Sequence, residues 1–137
     1  MEMGLFSKKP KPEPKVALVE GDGTYSFKDV VGESNYKLGL RALISEGSEA
    51  ERDNGEVFRD AFLIAEPTNT FDKNAIQVRI AEHLVGYIAK TRTPEFHPVL
   101  QDARKQGFDY VLVKAVIGFD SRNADPLIGV RLDWTDD

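Results

Sequence analysis

The sequence predicts a mainly β fold of the α+β class, built as a small β-barrel of about six strands with two short helices. Short segments of alternating apolar and polar residues recur along the 137 residues, as expected for half-buried strands. Only two segments show helical spacing together with capping signals, so we expect the order β-α-β-β-β-α-β-β. Many short strands and two small helices favour a compact barrel over a doubly wound sheet, and closure would pair the strand edges.

The strands are assigned from this alternation and from the turn residues between them. They cover residues 25–32, 56–67, 75–80, 83–90, 109–118 and 127–134. In the segment 75–80, for example, Ile76, Val78 and Ile80 fall on one face of a strand. The charged, turn-rich segment 48–55 is predicted to be a mobile loop.

The two helices are assigned from apolar spacing and from their ends. The first is predicted over 34–47, with Ser34 or Asn35 as its N-cap. Gly39 lies inside this helix and should weaken it by roughly 1 kcal/mol relative to alanine. The second helix, over 93–107, has the stronger signals because it begins with a Thr-Pro pair and ends at a glycine.

The N-terminal residues differ in composition from the rest of the chain. The stretch "SKKPKPEPK" (7–15) alternates lysine with proline, so residues 1–15 are predicted to form a disordered tail and residues 16–134 the domain. No apolar run approaches the ~18 residues of a membrane span, and the N-terminus lacks the apolar core of a signal peptide. We therefore expect a cytoplasmic protein without a membrane partner.

The composition argues against catalysis and against general affinity for duplex nucleic acid. The formal net charge is −5, whereas proteins that coat duplexes carry an excess of Lys and Arg. There is no cysteine, and His83 and His97 have no carboxylate at metal-ligand spacing, so both are interpreted as surface residues. No nucleophile elbow, phosphate-binding glycine loop or zinc-protease helix occurs. We expect no enzyme activity, no cofactor and no metal, and any nucleic-acid role must depend on a local site.

One turn carries an unexpected pair of residues. The stretch "EPTNTFDKNAIQV" (66–78) changes from turn residues to strand alternation, and Phe71 and Asp72 stand side by side within the turn. If the ring is exposed, it can stack on an unpaired base while the carboxylate accepts a hydrogen bond from a terminal hydroxyl. The alternatives are that Phe71 folds under the turn into the core, and that Asp72 and Asn74 only bond their own backbone.

Two stretches together resemble the HIRAN domain, namely "VVGESNY" (30–36) and the pair "EPTNTFDKNAIQV" (66–78) and "LVGYI" (84–88). That module occurs at the N-terminus of helicase-like transcription factor and related SNF2-type repair helicases, and as a free-standing or fused domain in bacteria. The resemblance spans roughly residues 24–118. The matching positions are Val31, Gly32, Tyr36, Glu66, Pro67, Asn69, Phe71, Asp72, Asn74, Ala75, Ile76, Val85, Gly86, Tyr87 and Ile88.

The resemblance implies a barrel of OB or SH3 type and recognition of the free 3′-hydroxyl end of single-stranded DNA, in repair or replication. In that family aromatic side chains stack on the terminal bases and the motif aspartate accepts from the terminal hydroxyl. By position these residues are Phe71, Tyr87 and Asp72. The chain differs from the helicase branch at Ser34 and Asn35, where that branch has a basic and then an aromatic residue, and at Phe71, where tyrosine is common.

The predicted nucleic-acid site combines these positions with neighbouring polar and basic residues. Lys73, Lys90 and Arg92 follow the aromatic positions in the chain and are expected to meet the phosphates next to the strand end. Asn35 and Tyr36 join the set, with a helix cap and a core anchor as their respective alternatives. The full set is Asn35, Tyr36, Phe71, Asp72, Lys73, Asn74, Tyr87, Lys90 and Arg92.

Three functions are compatible with the sequence. The first is a non-catalytic module that binds single-stranded DNA weakly at a 3′ end, alongside a helicase or another protein partner. The second is a protein-interaction module that uses the same barrel face, suggested by the acidic balance and the missing basic–aromatic pair. The third is a hydrolase, considered because such domains are often fused to helicase motors. The chain has no motor and no phosphate-binding loop, so we expect no ATP turnover.

Overall fold

A computed structural model describes residues 13–135 of the chain, and the first twelve residues of the predicted tail lie outside this range. The strands are β1 (Val16–Val19), β2 (Val30–Val31), β3 (Glu56–Ala65), β4 (Ile76–Ile80), β5 (His83–Ile88), β6 (Tyr110–Phe119) and β7 (Ile128–Leu132). The helices are α1 (Lys37–Ser45), α2 (Glu49–Asn54) and α3 (Thr93–Lys105), and a short 3-10 turn (Glu33–Tyr36) precedes α1.

Within residues 13–135 the strands form one mixed sheet. Its order is β1-β6-β3-β4-β5-β2, and β7 pairs with the free part of β6. The β1–β6 pair is parallel, whereas the other pairs are antiparallel. The predicted β-rich α+β class is confirmed. The sheet is not closed, so the predicted barrel is not confirmed, and a single bridge between Phe27 and Leu132 is the nearest approach to closure.

The core lies on the face of the sheet that the alternating residues define. Ile76, Val78 and Ile80 of β4 are all buried, as their spacing predicts. Helix α3 covers this face with Phe96, whose ring stacks on Trp134 at a centroid distance of 3.9 Å. Complete burial of an aromatic side chain of this size contributes about 1.5–3 kcal/mol, so Phe96 is a principal reason that α3 docks on the sheet.

The prediction of a mobile loop over 48–55 is wrong, because most of this segment forms α2. Ser48 accepts a hydrogen bond from the Glu51 backbone N–H, and the Glu51 carboxylate accepts one from the Ser48 N–H, which together make a capping box. The same carboxylate also accepts from the Phe58 N–H at 2.8 Å. Helix α2 buries none of its side chains, so it lacks the apolar periodicity on which the helix assignment relied.

The helix starts and two strands also differ from the predictions. Helix α1 begins after the 3-10 turn with Tyr36 as its N-cap, so neither Ser34 nor Asn35 caps it. The predicted strand 25–32 is reduced to the two-residue β2 and the Phe27 bridge. Strand β1, which the alternation analysis missed, pairs with a segment far along the chain. No helix among residues 13–135 is long and apolar enough to cross a membrane.

Candidate nucleic-acid interface

The motif loop, residues 66–75, connects β3 to β4 and is closed by its own backbone. The Glu66 N–H donates to the Ala75 carbonyl at 2.9 Å, at the point where the two strands separate. Inside the loop the Asn69 N–H donates to the Glu66 carbonyl at 3.0 Å, and the Ala75 N–H donates to the Asp72 carbonyl at 3.1 Å. These bonds give the ten-residue segment a defined turn structure.

Two short polar side chains fix the backbone on either side of Phe71. The Asn69 Oδ1 accepts from the Phe71 N–H at 2.8 Å and from the Asp72 N–H at 3.0 Å. The Asp72 Oδ1 then accepts from the Asn74 N–H at 2.9 Å. Side chains of Asn and Asp commonly stabilise turns in this way. The turn-forming role of Asp72 is therefore confirmed, and its role as a ligand stays a prediction.

Phe71 is exposed to solvent over 96% of its surface. The alternative in which this ring folds under the turn into the core is therefore wrong. Asp72, the next residue, is half-buried. The loop thus presents a ring and a carboxylate side by side at the surface, on a backbone that Asn69 holds in place.

The carboxylate of Glu66 anchors the motif loop to the sheet. Its Oε1 accepts from the Asn69 Nδ2 at 2.6 Å, its Oε2 accepts from the Gln77 amide, and the Tyr87 hydroxyl lies 3.3 Å from both oxygens. The hydrogen bond from Gln77, followed by those from Asn69 and Tyr87, holds the pKa of Glu66 below its ordinary value against the opposing effect of burial. One carboxylate therefore ties together the loop, β4 and β5.

Tyr87 lies on the outer face of the sheet and faces away from Val85, as predicted, but simple alternation is not the reason, because residues two apart in a regular strand share a face. The register of the β4–β5 pair shifts by one residue at Val85, and this irregularity turns the two side chains to opposite faces. Val85 is fully buried, whereas Tyr87 is half-buried and pairs across the strands with Gln77 on one side and Val31 on the other. Burial, and then the negative charge of Glu66, raises the pKa of Tyr87, so its hydroxyl stays protonated and can donate. Val31 is 46% exposed and extends the apolar surface beside the Tyr87 ring.

The three predicted phosphate contacts occupy different environments. Lys73 in the motif loop and Lys90 just after β5 are both exposed. Arg92 is instead engaged within the protein, where it forms ion pairs with Asp29 and Glu95. Its guanidinium also lies 4.8 Å from the centroid of the Phe27 ring, which makes a cation–π contact. These contacts assign Arg92 a structural role at the start of α3, and its phosphate contact stays a prediction.

His97 supports the far end of the motif loop and was not recognised from the sequence. Its Nε2 lies 2.8 Å from the Asn74 carbonyl oxygen and thus links α3 to the loop. The Asn74 side chain itself is at an exposed position, so the predicted ligand role of Asn74 stays a prediction. No spacing rule pairs these residues, because they come from separate elements and meet only in the folded chain.

Asn35 and Tyr36 lie in the 3-10 turn at one wall of an open cleft of about 450 Å³. Asn35 is exposed and its N–H donates to the Gly32 carbonyl, whereas Tyr36 is half-buried and close enough to Tyr87 to raise the pKa of that residue slightly. We call this space the α1 cleft. Residues 34–39 form one wall, and the hairpin between β4 and β5 forms the other.

The structure brings together Phe71, Asp72 and Lys73 on one loop, whereas Tyr87 lies on β5 and Tyr36 in the 3-10 turn that lines the α1 cleft. Among residues 13–135 no group of three or more His, Asp or Glu side chains is arranged to hold a metal ion. No protein-family model, curated protein or solved structure matches the chain. The described residues form an α+β sheet domain that displays the exposed Phe71 ring beside the half-buried Asp72.

Proposed function

We propose that the protein is a non-catalytic, HIRAN-like module that binds single-stranded DNA at a free 3′-hydroxyl end in DNA repair or replication. The observation that carries the proposal is the near-complete exposure of Phe71 on a loop whose backbone is fixed by side-chain hydrogen bonds. The backbone below the ring therefore loses little conformational freedom when a ligand covers Phe71. Preorganisation of this kind lowers the cost of binding.

The Phe71 ring suits an unpaired base. Stacking of a base on an aromatic side chain contributes ~1–3 kcal/mol and tolerates any sequence, because every base has a π face. A duplex hides those faces, so a single exposed ring favours frayed or single-stranded termini. Tyr87 and the exposed Val31 offer a second apolar surface for the next base.

The Asp72 carboxylate suits a terminal hydroxyl. Its Oδ1 already accepts from the Asn74 N–H, which fixes the orientation of the carboxylate without neutralising it. A hydroxyl that donates to this group gains roughly 1.5–3 kcal/mol, the usual contribution of a hydrogen bond to a charged acceptor. A 3′-phosphate in the same position would be repelled, which supports selection for an unmodified end.

The acidic charge of the chain agrees with binding at an end rather than along a strand. With a net charge of −5, few cations are available to neutralise phosphates. Contacts from Lys73 and Lys90 to two phosphates would give a shallow salt dependence, with a slope on the order of −1.4 at ~0.7 per phosphate of a single strand. We expect micromolar affinity, which corresponds to ~8 kcal/mol.

The barrel that the resemblance implies is part of this proposal. The Phe27 N–H donates to the Leu132 carbonyl at 3.2 Å and the Leu132 N–H donates back at 3.0 Å, while Val30 and Val31 pair with β5. The segment 27–31 thus lies between β7 and β5, at the position where a barrel would close. This arrangement supports a barrel-like frame in which the motif loop stands at one rim.

Fluorescence anisotropy with labelled oligonucleotides tests the proposed function. We expect a free 3′-hydroxyl end to bind at least ~10-fold more tightly than a 3′-phosphate end, from the hydrogen bond to Asp72. Asp72→Asn should abolish most of this preference, and Phe71→Ala should weaken both ligands together. Asp120→Asn, in an exposed loop elsewhere, is the matched control. Equal affinity of the wild-type protein for both ends would refute the role of Asp72, and the absence of any binding would refute the function.

A protein-interaction module is the second candidate, and a specific surface favours it. Leu38 is 86% exposed and Leu127 is 89% exposed, and both lie next to Ser34 and Lys37 on opposite sides of the 3-10 turn. Single exposed leucines are common on protein surfaces, and these two favour the candidate because a partner that covers the turn would bury both of them. An NMR titration with oligonucleotides that leaves the amides of residues 70–90 unshifted would favour this candidate over the first.

A further inference from the structure

We propose that the α1 cleft is a second subsite, which binds the backbone phosphates of the DNA strand on the 5′ side of its bound end. This inference rests on the proposed function and assigns the cations that hold the strand beyond its last nucleotides. These cations are Lys37 and Arg79. His83 also lines the cleft and supplies a side chain that can form hydrogen bonds. None of these three residues belongs to the site that the sequence predicts.

The cleft has the size and the donors that a phosphodiester backbone requires. Its volume is about 450 Å³ and it is open to solvent, so a chain can pass through it without being enclosed. Lys37 and Arg79 supply two positive charges and Glu82 supplies one negative charge, in a protein whose overall charge is −5. The cleft is thus locally cationic on an acidic molecule, which is the condition for a localised phosphate site.

Arg79 is fixed on the wall of the cleft. Its Nε donates to the Gln77 Oε1 at 2.9 Å, and its Nη1 donates to the Glu82 carbonyl at 3.2 Å. These two bonds use part of the five-donor guanidinium fork and set its plane. An arginine oriented in advance is well suited to a phosphate, because it binds the oxygens with two parallel donors.

The position of the His83 side chain explains why helix α1 contains Gly39. A Cβ built on Gly39 would lie 3.0 Å from the His83 Nδ1 and 3.1 Å from its Cβ, so the imidazole rests directly against the helix backbone. Glycine is a poor helix former, and α1 carries it at the point where the hairpin histidine approaches most closely. The helix therefore gives up intrinsic stability to keep His83 in the wall of the cleft.

Strand β4 connects the motif loop to the cleft. The loop ends at Ala75, directly before Ile76 at the start of β4, and Arg79 near the other end of the same strand lines the cleft. Along β4, Arg79 lies three residues beyond Ile76, a distance of roughly 10 Å at ~3.3 Å per residue. Phosphates along one strand of B-form DNA follow every ~3.4 Å, so this distance corresponds to about three nucleotides of a strand with that spacing, in addition to those that the loop itself contacts.

The experiment compares a 5′-phosphorylated thymidine dinucleotide, which carries the two phosphates assigned to Lys73 and Lys90, with a thymidine octanucleotide, and both have free 3′-hydroxyl ends. The dinucleotide is too short to reach the cleft. We expect the octanucleotide to bind at least ~10-fold more tightly, with a salt slope steeper by ~0.7 for each additional phosphate contact. The variants are Lys37→Gln, His83→Gln and Gly39→Ala, and Lys105→Gln at the end of α3 is the control for removal of an exposed lysine.

The expected result is that Lys37→Gln loses about threefold to tenfold of the octanucleotide affinity and ~0.7 of the salt slope, while dinucleotide affinity and the preference for a 3′-hydroxyl are unchanged. Gly39→Ala should cause a smaller loss, because the added methyl group displaces His83. Lys105→Gln should have no effect. Thermal unfolding of each variant shows that the domain is intact.

Two outcomes overturn the inference while the proposed function survives. One is end-selective binding with no gain from the longer strand. The other is a length gain that all three cleft variants retain. A third outcome, in which neither oligonucleotide binds the wild-type protein, overturns the proposed function and this inference together. The preference for the 3′-hydroxyl end separates these cases, because it depends on Asp72 and not on the cleft.

Discussion

Two loops of this protein use the same local chemistry with different results. The motif loop 66–75 and a second loop, residues 120–127 between β6 and β7, are both stabilised by Asp or Asn side chains that accept from nearby backbone N–H groups. Each also exposes one large apolar side chain, Phe71 in the first loop and Leu127 in the second. By composition and local hydrogen bonding, the two loops are equivalent.

The difference lies in what holds each loop to the body of the domain. In the motif loop, Glu66 receives donors from within the loop and from two strands of the sheet. The second loop is held by the Arg41–Asp125 ion pair, whose side chains are 50% and 72% exposed, and by a hydrogen bond from Ser121. Exposed ion pairs contribute only about 0–1 kcal/mol. The sheet therefore fixes the motif loop through Glu66, whereas the second loop depends mainly on exposed contacts and on its own turn chemistry.

The same contrast is visible in the pKa of one carboxyl group in each loop. The pKa of Asp120 is lowered by hydrogen bonds from the side chain and backbone of Arg122, two residues away. The pKa of Glu66 is lowered first by Gln77, a residue on the neighbouring strand. The lowered pKa of Glu66 therefore reflects a contact with another strand, whereas the lowered pKa of Asp120 reflects only a local turn.

The largest effect is expected from removal of the anchor. Glu66→Ala leaves the donors of Asn69, Gln77 and Tyr87 without their common acceptor, which should lower the free energy of unfolding by about 1–3 kcal/mol. Asp120→Ala in the second loop should leave it close to the wild-type value, because this carboxylate is exposed to solvent. Urea unfolding measures both values. Similar losses in the two variants would show that the loops are held equally and would contradict the comparison.

Substitution of the two exposed apolar side chains should have different effects on DNA binding but the same small effect on stability. Phe71→Ser should cost ~1–3 kcal/mol of binding free energy for single-stranded DNA, the contribution of one stacked base. Leu127→Ser should leave this affinity unchanged, and both variants should unfold at the wild-type temperature because neither side chain is buried. Isothermal titration and calorimetric melting test the two parts. Equal losses of affinity would mean that exposure alone, without the fixed loop, determines binding.

The pH dependence of stability should also separate the loops. Because the folded-state pKa of Glu66 is lowered, the ionised carboxylate stabilises the fold above its ordinary value of 4.5, and this contribution is lost as the pH falls through the lower folded-state pKa. The variant Glu66→Gln should show a shallower loss of stability over that acidic range. Denaturation curves at a series of acidic pH values give the comparison, and a parallel dependence in wild type and variant would argue against the anchor.

The smallest effect is expected from the contact between α3 and the motif loop. His97→Ala removes the hydrogen bond to the Asn74 carbonyl and should cost about 0.5–1.5 kcal/mol, whereas His97→Gln keeps a donor at a similar reach. Hydrogen exchange of the Phe71 and Asp72 amides reports on the loop directly. We expect faster exchange in the alanine variant and near-normal exchange in the glutamine variant. Identical exchange in all three proteins would show that His97 does not stabilise the motif loop.

Local periodicity was sufficient to predict the buried face of β4, helix α3 and the turn character of the motif loop. Each depends on neighbours within a few residues. The exposure of Phe71 could be proposed but not established, because it depends on Asn69 and on the sheet below the loop. The capping-box residues of α2, Ser48 and Glu51, are visible in the sequence, but the segment has no apolar spacing and so does not show the usual pattern of a helix.

The remaining features depend on contacts that the chain makes only after folding. Strand β1 pairs in parallel with β6, and Val16 is opposite Tyr110 far along the sequence. The role of Glu66 requires donors from three elements, and the wall of the α1 cleft requires His83 to approach Gly39. The sequence shows only one sign of this contact, namely the isolated Gly39 inside a predicted helix. The structure gives the reason for the glycine, because His83 packs against the helix backbone at this position.

The stacked pair of Phe96 and Trp134 has a practical consequence for work on this molecule. Trp134 is the single tryptophan of the chain, and it is 8% exposed in the core beneath α3. Its intrinsic emission therefore reports on loss of the packed interior, while Phe71 at the rim contributes no indole signal. Unfolding of the core can thus be followed by tryptophan fluorescence of the unlabelled protein, and the proposed binding of an oligonucleotide can be tested in a separate optical channel with a dye carried only by the DNA.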